Sequence, residues 1–255
     1  MPPDLDRGTQ RRLSTSFDSG ASTYAASRPA YPVKAGAWLV GDVPAYVLDL
    51  AAGTGALTSV LEALGHHVVA AEHGLSMLST MRSTGCAVPS VQARAEALPF
   101  APGSFDAVTV ATAFHWFDAA AALPQIASVL RTGGRLGLVW NTRDEPDVWP
   151  RRFGELLRSV QPDQLSGNWA TASVEEVRQS PLFERPQYCE FRHTQEVDRD
   201  GLIGLVASRS YVTAMELHRR RELFERVGQL FDAAADGGQS LGLPYRAQCW
   251  VFDRR

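Results

Sequence analysis

Tyr46-Val-Leu-Asp-Leu50 runs straight into Ala51-Ala-Gly53-Thr-Gly55, and then into Leu57, Val60, Leu61 and Leu64. The first five residues read as a short apolar strand and the glycines as a turn. The last four recur at i, i+3, i+4 and i+7, the period of an amphipathic helix, which Gly65 stops. Outward from this unit the rhythm repeats. His67–Ala71 is a second strand, followed by a helix near 75–83. Val88–Val91 is a short third strand and Phe105–Ala111 a fourth. Asp118–Leu130 is a helix, and Arg135–Trp140 a fifth strand behind Gly133-Gly134. Strands alternating with helices imply right-handed crossovers and a doubly wound, mostly parallel α/β sheet.

Either side of this core the rhythm breaks. Residues 1–16 read as a disordered tail, and 17–255 as a single domain. Pro29 and Pro32 prevent a continuous helix across Tyr24–Pro32, and a short helix over about 33–40 follows. From 142 to 187 we expect a helical insertion that covers the substrate. It carries Trp149 and Trp169, which a merely solvated loop has little use for. Beyond it come a strand near 187–196, a helix near 199–209 and a long helix near 212–234. A last, alternating strand over 245–252 is expected to lie antiparallel at or near the sheet edge, making seven strands.

Composition narrows the function classes. The chain has 255 residues, 45% hydrophobic and 21% charged, with a formal net charge of −3. A domain of this length buries roughly 70–75% of its unfolded surface, so it needs no metal or disulfide staple. The charge balance argues against a broad basic face for nucleic acid. Cys86, Cys189 and Cys249 are odd in number and lack metal-ligand spacing, and the histidines 66, 67 and 73 share no one element, so no metal site is expected. No run approaches the ~20 apolar residues that cross a bilayer, and the polar start of the chain is not a signal peptide. A cytoplasmic protein is the expectation.

The glycine turn lies at the carboxyl edge of the sheet, where α/β proteins bind ligands. A dinucleotide fingerprint would read G-x-G-x-x-G, but Thr58 stands at the third glycine position. Asp49, four residues before Gly53, would repel a pyrophosphate yet attract an ammonium group. Glu72, closing the second strand, can accept both hydrogen bonds of a ribose diol. NAD and S-adenosylmethionine both carry that diol, so Glu72 alone does not choose between them.

Taken in order, Asp49–Gly55, Glu72 with Met77-Leu78, Ala95-Glu-Ala-Leu-Pro-Phe100 and Ser104-Phe105-Asp106 resemble the successive motifs of class I S-adenosylmethionine-dependent methyltransferases acting on small molecules. Tyr24–Pro32 and Ala113-Phe-His-Trp-Phe117 are similar to the trans-aconitate methyltransferase-like branch. The resemblance implies that Ala51 and the Gly53–Gly55 turn contact the methionine portion of S-adenosylmethionine. Asp49 would support the turn and the ammonium, with the Ala111 carbonyl also on the ammonium. Glu72 would hold the ribose hydroxyls, while His73 and Met77 flank the adenine and the Ala95 N–H meets an adenine nitrogen. Tyr24 and Arg28 would lie over the methionine carboxylate. Family members carry an Asp where this chain has Arg94, which cannot accept a hydrogen bond. Glu96, a backbone carbonyl or water is left to take the adenine amino group.

The catalytic candidate is His115, as a general base at a pKa near ~6.5, weighed against a loop histidine packed beside Trp116. Trp116, Trp149 and Tyr211 are taken as substrate residues. Tyr211 and its neighbour Arg209 are weighed against a packing role for the tyrosine and a solvated one for the arginine. The implied activity is methyl transfer to a small organic acceptor, most simply at a hydroxyl or carboxylate oxygen. The rivals are a non-catalytic S-adenosylmethionine-binding protein on the same fold and an NAD-dependent oxidoreductase. With no basic channel and no Asn/Asp-Pro-Pro-aromatic tetrapeptide, no nucleic-acid partner is expected.

Overall fold

The computed structural model describes residues 28–162 and 168–255. The expected tail and Tyr24 lie outside that range. Thirteen-residue and shorter strands alternate with helices as α1 (Val33–Val40), β1 (Tyr46–Leu50), α2 (Ala56–Ala63), β2 (His67–Glu72), α3 (Leu75–Ser83), β3 (Ser90–Gln92) and β4 (Phe105–Ala111), with only β5 (Leu130–Arg143) one residue longer. A 3-10 turn at Phe114–Trp116 and α4 (Ala119–Val129) precede β5. The rest comprises α5 (Val148–Arg158), α6 (Trp169–Gln179), β6 (Gln187–Val197), α7 (Arg199–Ala207), α8 (Ser210–Thr213), α9 (Leu217–Ala235) and β7 (Leu241–Asp253).

The seven strands form one sheet in the order β3-β2-β1-β4-β5-β7-β6. Pairings from β3 to β5 are parallel. β7 inserts antiparallel between β5 and β6, so the last strand is interior and β6 is the edge. Chain order reverses at β1, which lies between β2 and β4, and a crevice opens beyond the carboxyl ends of such strands.

Period-two alternation assigns the two faces. Leu48 and Leu50 of β1 join Val108, Val110, Ile126, Leu136 and Leu138 under α4 and α6. Val47, one residue out of phase, packs with Leu57, Leu61, Met81 and Leu39 under α1, α2 and α3. A third cluster of Phe153, Leu157, Leu205, Val227 and Phe231 joins α5, α7 and α9 to the distal ends of β6 and β7. No helix among the described residues is long and apolar enough to cross a membrane.

Three boundaries move for local reasons. β3 begins at Ser90 because Pro89 has no N–H to give; its carbonyl instead accepts from Ala70 N–H at 2.9 Å. β5 starts early, at Leu130, with an irregularity opposite Phe105–Ala107. There Gly134 packs so tightly that a β-carbon would lie 2.9 Å from the Arg131 carbonyl oxygen. The long helix near 212–234 divides into α8 and α9 around Ala214–Glu216.

Candidate functional site

The turn after β1 is built around a buried acid. Asp49 is 0% exposed. It accepts hydrogen bonds from the Thr58 hydroxyl of α2 at 2.6 Å and the Thr109 hydroxyl of β4 at 3.0 Å. Burial pushes its pKa up to about 6, against the pull of those two hydroxyls. Asp49 thus ties the turn to α2 and β4 from beneath, and it is not among the residues that line the cavity beyond.

The two glycines serve different ends. Gly53 has φ +58° with open space where a β-carbon would stand, and it faces the cavity. Gly55 has φ +86°, and a β-carbon there would lie 2.7 Å from Met81 Cγ. The requirement at Gly55 is close packing of α2 on α3, and it is not among the residues that line the cavity.

Glu72 closes β2 and is 4% exposed. Its carboxylate accepts from the N–H groups of Gly53 (3.0 Å) and Gly74 (2.8 Å) and lies 2.9 Å from His73 Nδ1. Burial alone would raise its pKa, but the His73 ring and the two amides outweigh that and hold it below the usual range. A carboxylate offers about four lone-pair sites, so Glu72 retains accepting capacity toward the cavity it lines.

That cavity, ≈ 340 Å³, lies over the carboxyl ends of β1, β2, β4 and β5, in the size range of small-molecule sites. One end brings together Glu72, His73, Met77, Ala95 and Glu96. The middle holds Ala51, Gly53 and Ala111, and the far end Arg28, His115, Trp116 and Tyr211. Ala51 (φ +56°) and Thr112 (φ +52°), the residues just beyond β1 and β4, are left-handed without being glycine, a cost tolerated where strands turn at a site. Tyr31 steadies the second of them, its hydroxyl 2.9 Å from Thr112 Oγ1. Glu96 already accepts from Asp118 N–H at 3.0 Å and lies 3.4 Å from Arg94 Nε.

The two insertion tryptophans part company. Trp169, the first residue of α6 behind an Asn168 cap, lines the cavity with its ring 5.1 Å from that of His115. Trp149 instead tilts against Phe153 beside the third cluster, with 6.4 Å between ring centroids, and is not among the residues that line the cavity. Between Trp116, at 4.7 Å, and Trp169, His115 is desolvated, and with Arg28 adding to the effect its pKa falls to about 3. It is neutral at physiological pH.

Trp140, near the end of β5, lines the cavity without having been a site candidate from the sequence; it sits at the strand terminus where ligand contacts gather, and that rule could have found it. Arg209, weighed from the sequence as a pocket residue against a solvated one, has its Nε shielded from solvent and forms part of the cavity wall.

A doubly wound sheet whose switch-point cavity is closed by an acid at the end of β2 defines an α/β protein that binds a nucleoside-bearing cofactor. Comparisons refine the class. Residues 48–138 match a family described as a methyltransferase domain. An uncharacterised methyltransferase of Mycobacterium tuberculosis is 38% identical over 243 residues, spanning 94% of this chain and 96% of its own. An uncharacterised methyltransferase-like protein of Schizosaccharomyces pombe is 28% identical over 225 residues, or 84% and 85% of the two chains. A solved protein of Anaeromyxobacter dehalogenans, assigned to the type II methyltransferases, shares the fold with a TM-score of 0.64 at 24% identity, over 89% of this chain and 97% of its own. The chain belongs to the class I S-adenosylmethionine-dependent methyltransferases.

Proposed function

We propose that the cavity binds S-adenosylmethionine along its length and presents the methyl group to a small organic acceptor at the His115 end. The observation that carries this reading is Glu72: a buried carboxylate with accepting capacity left over, at the switch point, aimed into a cavity of the right size. Glu72 takes the ribose hydroxyls, His73 and Met77 flank the adenine, and the Ala95 N–H and Glu96 address its edge. Ala51, Gly53 and the Ala111 carbonyl take the methionine portion, with Arg28 over its carboxylate.

S-adenosylmethionine supplies the methyl as a sulfonium: the acceptor's lone pair forms the new bond to carbon as carbon–sulfur breaks, leaving S-adenosylhomocysteine. Oxygen is the target atom we favour. A hydroxyl must pass its proton to water in that step, whereas a carboxylate has none to lose. His115 is a weak base at a pKa of about 3, so we assign it to orienting the acceptor between Trp116 and Trp169. That matches the chemistry, since in-line displacement gains mostly from proximity and alignment. Tyr211 completes the acceptor wall. Residues 28–32 and the α6 part of the insertion cover the site and exclude water.

The test is S-adenosylhomocysteine binding by calorimetry. Each charge-assisted bond to the diol is worth ~1.5–3 kcal/mol, so Glu72→Ala is expected to weaken binding at least about tenfold. Glu72→Gln, which still accepts from the Gly53 and Gly74 amides, should fall between it and the parent. Parent-like affinity in both variants overturns the assignment.

A further inference from the structure

The cavity is lined by charges of both signs. Its acids, Glu72 closing β2 and Glu96 following β3, come from the β2–β3 side of the switch point, whereas Arg28 interacts electrostatically with His115, which follows β4, and with Arg209. Behind Arg209 lies Arg143, close to the end of β5, with its guanidinium 5.5 Å above the Phe153 ring. Both guanidinia are disfavoured by burial, and each feels a neighbouring arginine: Arg209 in the case of Arg143, Arg28 in the case of Arg209. Burial, then Arg209, brings the Arg143 pKa down to about 10. Burial also lowers that of Arg209, with Arg28 contributing.

Among the described residues no carboxylate forms an ion pair with either. The acids that follow Arg143 in sequence are engaged elsewhere. Glu145 is held by Arg158 through contacts of 3.0–3.1 Å, and Asp144 faces Arg192 and Arg246. The Nε atoms of Arg143 and Arg209 are buried without a hydrogen-bond partner, and the Tyr211 hydroxyl beside Arg209 is likewise buried without a partner of good geometry. Desolvated like charges and idle donors are costly unless something pairs them. A guanidinium fork matches the two oxygens of a carboxylate or phosphate. Arg28 is the cation placed over the cofactor carboxylate, so Arg209 and Arg143 are left for a second anion.

We propose that the acceptor is a small organic anion whose carboxylate or phosphate group is held by Arg209, backed by Arg143 and joined by the Tyr211 hydroxyl. This rests on the cavity being the methyl-transfer site, with the cofactor at the Glu72 end. The acceptor is thereby fixed at the end of the cavity remote from the adenine, and neutral acceptors of the same shape are discriminated against because they leave the buried charges without a counter-ion and the two Nε donors without an acceptor.

Calorimetric titration of malonate, and separately of inorganic phosphate, into the S-adenosylhomocysteine-loaded protein tests this at fixed ionic strength. One anion should bind the loaded parent, and the tighter of the two names the group. Arg209→Gln should lose at least about tenfold of that affinity with S-adenosylhomocysteine affinity unchanged. Arg209→Lys, which keeps the charge but not the fork, should lose less, and it carries the test if the Gln variant does not fold. Absence of anion binding to the loaded parent, or equal binding by the variants, overturns the proposal. So does a parallel loss of S-adenosylhomocysteine affinity in Arg209→Gln, which would assign Arg209 to the cofactor. Failure of the parent itself to bind S-adenosylhomocysteine overturns instead the cofactor reading beneath it.

Discussion

Asp49 illustrates how a signature residue can be required for structure. It joins β1 to α2 and β4 through two threonine hydroxyls, at the cost of a carboxyl group with no access to water. Its folded pKa of about 6 exceeds the ordinary aspartate value of 3.8. The folded state therefore holds the proton more tightly than the unfolded one. The resulting stability is fully present below pH 3.8 and is lost as pH rises through 6. From those values the loss amounts to about 3 kcal/mol. Asp49→Asn has no such proton, so the parent's unfolding free energy minus the variant's should fall by about that amount between pH 4 and pH 7. Chemical denaturation at each pH measures it, and a difference that is flat with pH would place Asp49 in a far better solvated site. At this scale the sequence was readable where chemistry and position coincide. Glu72 and Gly53 stand where a strand end and a positive φ each ask for a particular residue, and both line the cavity. The burial of Arg209 was not legible, since β5, which brings Arg143 beside it, comes from a distant part of the chain.

At the scale of elements, the stretch from 142 to 187 contains two helices with different duties. α5 buries Phe153 and Leu157 in the third cluster against α7 and α9, whereas α6 sets Trp169 against the 3-10 turn that carries His115. Segments that admit a ligand belong to the less stable parts of a protein. On binding S-adenosylhomocysteine, the amides of residues 28–32 and 168–179 should therefore gain protection from hydrogen exchange, and those of α5 should not. Protection gained in α5 but not α6 would mean that the wrong helix has been placed over the site. The helices and parallel strands were legible from their 3.6 and 2.0 periods. The break between α8 and α9 was not, because Ala214-Met-Glu216 carries no proline or glycine to announce it. Nor could periodicity separate α5 from α6, since two amphipathic helices with a tryptophan each look alike until the surfaces they cover are known.

The whole molecule responds to its cofactor through linkage. A ligand that binds only the folded state adds about 2.7 kcal/mol at a hundred times its Kd, or roughly 5–10 °C in melting temperature for a domain of this size. S-adenosylhomocysteine should produce that rise, and NAD none, because Thr58 leaves no third glycine for a pyrophosphate and Asp49 fills the space beneath the turn. A melting shift with NAD of similar size would reopen the oxidoreductase alternative. Topology at this scale was legible as far as the alternation ran. The alternating pattern of 245–252 pointed to an antiparallel strand, but its neighbours depend on pairing across the chain, and no local signal specifies that β7 sits inside β6.

That inversion has a consequence for synthesis. β6 is made before β7 yet touches the sheet only through it. At roughly 5–20 residues per second on the ribosome, the stretch separating them takes a few seconds to emerge. During that time β5 and β6 each present an unpaired edge, a known hazard for association with other nascent chains. The exposed side of β6 carries charges that blunt such pairing, among them Glu190, Arg192 and Glu196. The sheet therefore closes only when one strand is set between two made before it, and the same pairing brings Tyr245 opposite Arg143.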